Sequence, residues 1–184
     1  MSQFMNLIGQ SAKKASLEKV NTKIKNKILK KYALLINREK HSILKENAKD
    51  INFALKKGLK DNFIDRLILD QKKLNNIKNS IKKIIKLKDP VDKTLEKWNR
   101  PNGLKINRVS IPIGVIGVIY ESRPNVTSDV ASLCFKSGNA VILKGGSEAI
   151  NTNKILAKLF RKALKENNVN ENFIQFINSK NRKI

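Results

Sequence analysis

Apolar residues follow two rhythms along this chain of 184 residues. As far as Pro90 they recur at steps of three and four, the spacing of helix faces. Met5, Ile8, Ala12 and Ala15 share one face. Ile24, Ile28, Leu29, Tyr32 and Leu35 form a second stripe behind the capping candidates Asn21 and Thr22. A third helix is predicted to bury Ile43, Leu44, Ala48, Ile51 and Leu55, with Gly58 placed to end it. Asp61 can cap a short helix holding Ile64 and Leu67. Leu74, Ile77, Ile81, Ile84 and Ile85 mark another, which stops at Asp89-Pro90 because proline disfavours helix in the residue before it. These stripes read as core faces and the lysines between them as solvated ones.

From Pro101 the rhythm changes. Leu104, Ile106 and Val109 predict an extended segment leading to Pro112. The runs 115–120 and 140–143 are almost continuously apolar, as in parallel strands covered on both sides. Between them Val126, Val130, Leu133 and Cys134 mark a helix that ends at Ser137-Gly138-Asn139. Ile155, Leu156, Leu159, Phe160 and Leu164 mark the next helix, and Phe173, Ile174, Phe176 and Ile177 a third strand. This is a right-handed β-α-β-α-β succession, the opening of a nucleotide-binding α/β unit. The predicted organisation is a helical segment over 1–100, then the first part of a parallel Rossmann-like sheet over 101–184.

Charge widens the range of partners without selecting one. The formal net charge of +24 attracts anions in general. Basic residues run from Lys13 to Lys183 and aromatics are sparse and scattered, whereas a nucleic-acid interface clusters both. No specific nucleic-acid role is expected, and the Lys, Asn and Ile richness reads as compositional drift. Cys134 is the one cysteine, so neither a disulfide framework nor a cysteine-based zinc site is predicted. No apolar run reaches transmembrane length and no signal peptide opens the chain, so no membrane role is expected and the location reads as cytoplasmic. His41, between Lys40 and Ser42, reads as a surface residue.

Two loops carry the candidate chemistry. Gly114 and Gly117 lie within a strand rather than between strand and helix, so they do not form a dinucleotide fingerprint; close backbone packing explains them. Lys144-Gly145-Gly146-Ser147-Glu148 stands where a parallel strand gives way to a helix, the edge at which doubly wound sheets bind ligands. Its glycines permit close approach of a ligand, and Lys144 offers a positive charge to a ribose phosphate. Ser147 can donate and accept, and Glu148 can accept from ribose hydroxyls or cap the helix.

Two strings make the picture specific. Gly114-Val115-Ile116-Gly117-Val118-Ile119-Tyr120-Glu121-Ser122-Arg123-Pro124-Asn125-Val126-Thr127 is the first. Ser132-Leu133-Cys134-Phe135-Lys136-Ser137-Gly138-Asn139-Ala140-Val141-Ile142-Leu143-Lys144-Gly145-Gly146-Ser147-Glu148-Ala149 is the second. Together they closely resemble gamma-glutamyl phosphate reductase, the glutamate-5-semialdehyde dehydrogenase of the aldehyde dehydrogenase superfamily. The likeness extends upstream to Gly58-Leu59, Asp65-Arg66-Leu67 and Asp89-Pro90-Val91.

The resemblance implies reduction of L-glutamyl 5-phosphate by NADPH to the semialdehyde, with release of phosphate, in proline biosynthesis. It also implies a homo-oligomer at full length. In the superfamily a cysteine thiolate attacks the acyl carbon, hydride reduces the resulting thioester, and a backbone amide with an Asn side chain forms the oxyanion hole. By position, Ser122 and Arg123 should line the substrate side, with Arg123 suited to a carboxylate or the leaving phosphate. Asn125 is the candidate oxyanion donor; the alternative is that Asn125 or Thr127 caps the helix. Lys144, Gly145, Ser147 and Glu148 fall on the cofactor side, Lys144 beside the adenosine ribose.

One element of the family is missing. Its catalytic cysteine lies in a later segment, and Cys134, on an apolar helix face, reads as a small buried hydrophobe. The expectation is therefore an N-terminal portion without the catalytic domain, inactive alone. The alternatives are a nucleotide-binding remnant or half of a two-chain enzyme.

Overall fold

The computed structural model of the chain describes residues 3–179. Five helices come first: α1 (Gln3–Ser16), α2 (Thr22–Arg38), α3 (Lys40–Lys56), α4 (Asp61–Leu67) and α5 (Gln71–Lys86). An antiparallel hairpin follows, β1 (Thr94–Asn99) and β2 (Lys105–Val109). Then come β3 (Val115–Ile119), α6 (Pro124–Lys136), β4 (Ala140–Lys144), α7 (Ile150–Lys165) and β5 (Ile174–Phe176). The second sheet is parallel in the order β3-β4-β5, as the sequence rhythm predicts.

Local chemistry accounts for three of the helix ends. Asn21 caps α2 by accepting from the Ile24 N–H at 2.9 Å, and Asp70 caps α5 through the Lys73 N–H at 2.6 Å. Gly58 takes the left-handed conformation (φ 65°) that closes α3. Asp61 is not a cap: it is the first residue of α4, and Lys60 precedes it without a side-chain bond. The face of α3 is also rotated from the one predicted. Its buried residues are Ile43, Asn47, Asp50 and Ala54, while Ala48 and Leu55 are exposed. Polar side chains occupy two of those four positions because the neighbouring segments present unpaired backbone groups there, which apolar residues cannot satisfy.

α1, α2, α3 and α5 share one core with the parallel sheet, while Ile64 and Leu67 of α4 pack into a second cluster with Ala54 and Ala149. Tyr32 on α2 lies tilted at 44° against Phe160 of α7 with centroids 4.5 Å apart, and Phe160 and Phe173 both meet Phe135 of α6 edge-on, at 5.7 and 5.4 Å. These arrangements suit the aromatic quadrupole. The Tyr32 hydroxyl shares a buried 2.7 Å hydrogen bond with Ser128 Oγ. Not every lysine is solvated: Lys25 is buried in an ion pair with Asp89 at 2.9 Å, and Lys136 is buried beside Asn26.

The strands are covered unequally. β4 is buried on both faces, as expected of a central parallel strand. β3 departs from that expectation: Gly117 and Ile119 are exposed, and no strand among the described residues pairs with its outer edge. Its glycines also differ from the predicted close packing. Gly114 is needed for its φ of 112°, and a methyl group at Gly117 would meet nothing within 4 Å. The hairpin adds a strand inside the predicted helical segment, and its turn, Arg100 to Gly103, crosses the predicted boundary at 100.

Candidate functional site

β3 and β4 run parallel and end side by side, with Ile119 paired to Lys144. The loops leaving them form one wall of an open cleft of about 700 Å³, which Phe63 and Arg66 of α4 close from the other side. The sequence-predicted residues Ser122, Lys144, Gly145, Ser147 and Glu148 all meet here.

Glu148 binds the two loops together. Ser122 Oγ donates to its Oε2 at 2.9 Å and Ser147 Oγ to its Oε1 at 2.6 Å. Burial pushes the Glu148 carboxyl up, but bonds from Ser147, its own N–H and Ser122, together with the nearby Lys57 charge, outweigh that and hold it below the ordinary value. Both oxygens of the carboxylate are thus committed within the protein.

The two glycines allow the loops to touch. A Cβ on Gly146 would lie 2.1 Å from Ser122 Oγ, and one on Gly145 would lie 2.3 Å from Asn153 Nδ2 and 3.1 Å from the Tyr120 ring. The backbone of one loop packs against side chains of the other and of α7, so the glycines serve this contact first. Beneath it, Tyr120 Oη and Thr127 Oγ1 share a 2.7 Å bond, and Thr127 donates to Asn153 Oδ1 at 2.8 Å. Burial raises the Tyr120 phenol to about 12, against the opposing bond to Thr127, so it stays protonated. Lys144 donates from Nζ to the Ser179 carbonyl and lines the cleft.

Arg123 and Asn125 lie apart from this cluster. Arg123 is the residue before α6, half exposed, with Nε 3.7 Å from Glu121 Oε2. Asn125 is exposed and lines a second, smaller cavity; its Nδ2 makes a long 3.4 Å bond to Asp129 Oδ2. Neither Asn125 nor Thr127 caps the helix, because α6 begins at Pro124 and Thr127 is turned inward to Tyr120 and Asn153. Cys134 is buried, and burial pushes its thiol up, which disfavours the thiolate a nucleophile requires.

Sequence reasoning missed Arg66, Tyr120, Thr127 and Asn153. The polar run Asn151-Thr152-Asn153 at the start of an amphipathic helix was the available signal, since polar residues there tend to bond locally or to a neighbouring element.

No protein-family model matches the chain. A gamma-glutamyl phosphate reductase of a Sulfurihydrogenibium species is 44% identical over 184 residues, covering 99% of this chain and 41% of the relative. That of Aquifex aeolicus is 43% identical, covering 98% and 42%. The crystal structure of gamma-glutamyl phosphate reductase from Thermotoga maritima superposes with a TM-score of 0.93 at 39% identity, over 96% of this chain and 43% of that one. The Saccharomyces cerevisiae enzyme gives 0.90 at 33% identity, over 98% and 47%. A probable aldehyde dehydrogenase from Listeria monocytogenes shares the fold at a TM-score of 0.67 and 16% identity, over 97% and 37%. The α/β architecture is therefore aldehyde-dehydrogenase-like. The chain spans about two-fifths of the length of the curated relatives it matches, and over that span its sequence and fold are similar to those of gamma-glutamyl phosphate reductases.

Proposed function

We propose that the chain is the nucleotide-binding side of a reductase that converts L-glutamyl 5-phosphate to L-glutamate 5-semialdehyde with NADPH, releasing phosphate. The observation that carries this reading is the cleft at the carboxyl ends of β3 and β4, where Lys144 and the Gly145-Gly146 backbone face an open volume. A cation beside side-chain-free backbone at that edge suits the phosphate-bearing ribose of NADPH. The cofactor, when bound, supplies hydride.

The chain's own residues divide the remaining work. Lys144 neutralises the ribose phosphate. Glu148 acts from below: it fixes Ser122 and Ser147, and with them the distance between the loops. Arg123, half exposed beyond the cleft, holds a substrate carboxylate or the departing phosphate. Asn125 is exposed and held only by its 3.4 Å contact, so its amide can turn toward a developing oxyanion. The thiol chemistry of the family needs a cysteine other than Cys134, and these 184 residues contain no other. Turnover by this chain alone is accordingly expected to be nil.

The test is a titration of the chain with NADPH, followed by nicotinamide fluorescence. Saturable binding is expected, weakened about tenfold by Lys144→Ala, the loss of one close charge contact. Lys105→Ala, on the exposed strand β2, controls for the diffuse field of +24 and should leave binding unchanged. Equal weakening by both substitutions, or by neither, overturns the reading.

A further inference from the structure

Arg66 also lines the second cavity, a volume of about 350 Å³ between the α4–α5 corner and the first turns of α6. Among the described residues the only carboxylate in its wall is Asp129. Asp129 Oδ1 is buried without a hydrogen-bond partner, and Oδ2 has only the 3.4 Å donor from Asn125. Among the described residues no cation lies within ion-pair distance of it. Lys73, in the same wall, has its ammonium committed to the carbonyls of Asp65 at 2.9 Å and Ile68 at 2.7 Å. A carboxylate left this short of donors is costly unless a cation reaches it.

The complementary charge lines the same cavity. Arg66 makes only a 3.8 Å contact with the exposed Glu121 carboxylate, leaving its guanidinium free for a planar anion. The cavity wall therefore holds one carboxylate short of donors and one arginine with a single long ion-pair contact. A simple cation or a simple dicarboxylate satisfies one of them. A molecule with an ammonium and a carboxylate on the same carbon satisfies both.

We infer that the second cavity binds the head group of an L-α-amino acid, its ammonium on Asp129 and its carboxylate on Arg66. This rests on the proposed reductase reading, because L-glutamyl 5-phosphate carries that head group and Arg66 belongs to both cavities. The head group is gripped in one, and the side chain with its acyl phosphate leads past Arg66 toward the cleft. Asp129 and Arg66 are then specificity residues, and of the two roles open to Arg123 only the departing phosphate remains.

The experiment compares L-glutamate with glutarate, which has the same carboxylates and no ammonium, by ligand-observed NMR on the 184-residue chain. L-Glutamate should bind saturably and at least tenfold more tightly than glutarate. Asp129→Asn should reduce L-glutamate affinity about tenfold and leave glutarate unchanged. The wild-type comparison stands even if the variant folds poorly. Absence of L-glutamate binding, or equal binding of the two ligands, overturns the site, as does a folded Asp129→Asn variant that keeps the preference. NADPH titration of the same samples separates the two readings. NADPH binding without ammonium preference sinks the head-group site alone, whereas ammonium preference without NADPH binding sinks the reductase reading alone.

Discussion

Asp50 on α3 caps α7 from a distance of 102 residues in sequence: its Oδ2 accepts from the Thr152 backbone N–H at 2.8 Å and from the Thr152 hydroxyl at 2.6 Å. Its Oδ1 takes the Asn151 N–H at 3.2 Å and the Asn151 side-chain amide at 2.8 Å. A helix N-terminus offers unpaired N–H groups and a partial positive charge, and a buried carboxylate answers both. The same helix carries the buried Asn153 against Gly145 and Thr127, so α3 anchors the helix on which the cleft loops rest.

Asp50→Ala strands these donors in a site that is 1% exposed, and should cost about 3 kcal/mol of stability, the loss of charge-assisted bonds at buried donors. Asp50→Asn keeps one acceptor oxygen and should cost about half as much. Urea unfolding followed by Trp98 fluorescence or circular dichroism measures both. Equal stability of the alanine variant and wild type rules the distant cap out.

Glycine substitutions should divide by position. Ala at 145 or 146 forces a methyl group onto Asn153 or Ser122 at about 2 Å, and should destabilise the chain by roughly 1–3 kcal/mol, as overpacking does. Both should also weaken NADPH binding, because they part the two loops. Ala at 117 meets no atom within 4 Å and stiffens the unfolded chain, so stability should stay level or rise by about 0.5 kcal/mol. Thermal melts of the three variants test the division, which fails if Gly117→Ala is the worst of them.

The helices were legible because their apolar stripes report burial directly, and the parallel strands because β4 is sealed on both faces. Where burial is polar or missing, the pattern misleads. The α3 face was misplaced because Asn47 and Asp50 hold inward positions that an apolar count leaves blank. β1 escaped notice because all six of its residues are exposed. The cleft followed from the order strand, loop, helix, yet the loop's internal wiring did not. Glu148 pairs with Ser122 across 26 positions, so its carboxylate read as open to a ribose until the fold joined them. Asn125 and Asp129 sit one helical turn apart, but only the packing of α4 and α5 on α6 brings Arg66 to face them.

Cys134 should behave as a core atom. Its thiol is pushed up by burial, so at neutral pH a disulfide reagent should label it slowly in the native state and rapidly in urea. Cys134→Ser places a hydroxyl in an apolar pocket and should cost about 1–2 kcal/mol without altering NADPH binding. Native-state labelling as fast as that of a free thiol excludes the buried assignment.

The ion pair of Lys25 with Asp89 predicts how the chain fails in acid. Burial pushes the Asp89 carboxyl up, but bonds from Lys25, the Val91 N–H and the Thr22 hydroxyl, with the Lys25 charge, bring it below its ordinary value of 3.8. A carboxyl depressed in the folded state binds its proton later than the unfolded chain does. Its contribution is thus complete above about pH 4 and is lost as pH falls through the lower folded value. Lys136 lies within the same network. Burial pushes its ammonium down, with Asp89 opposing and Lys25 reinforcing, so neutralising Asp89 leaves two buried cations facing each other. Asp89→Asn should therefore lower the urea midpoint at pH 6 and flatten its fall between pH 4 and 2, the difference from wild type isolating Asp89 from other carboxylates. Lys25→Met, which leaves the carboxylate partly buried without its ammonium, should cost about 3 kcal/mol at pH 6. Parallel pH curves for wild type and Asp89→Asn exclude this ion pair as the source of the acid sensitivity.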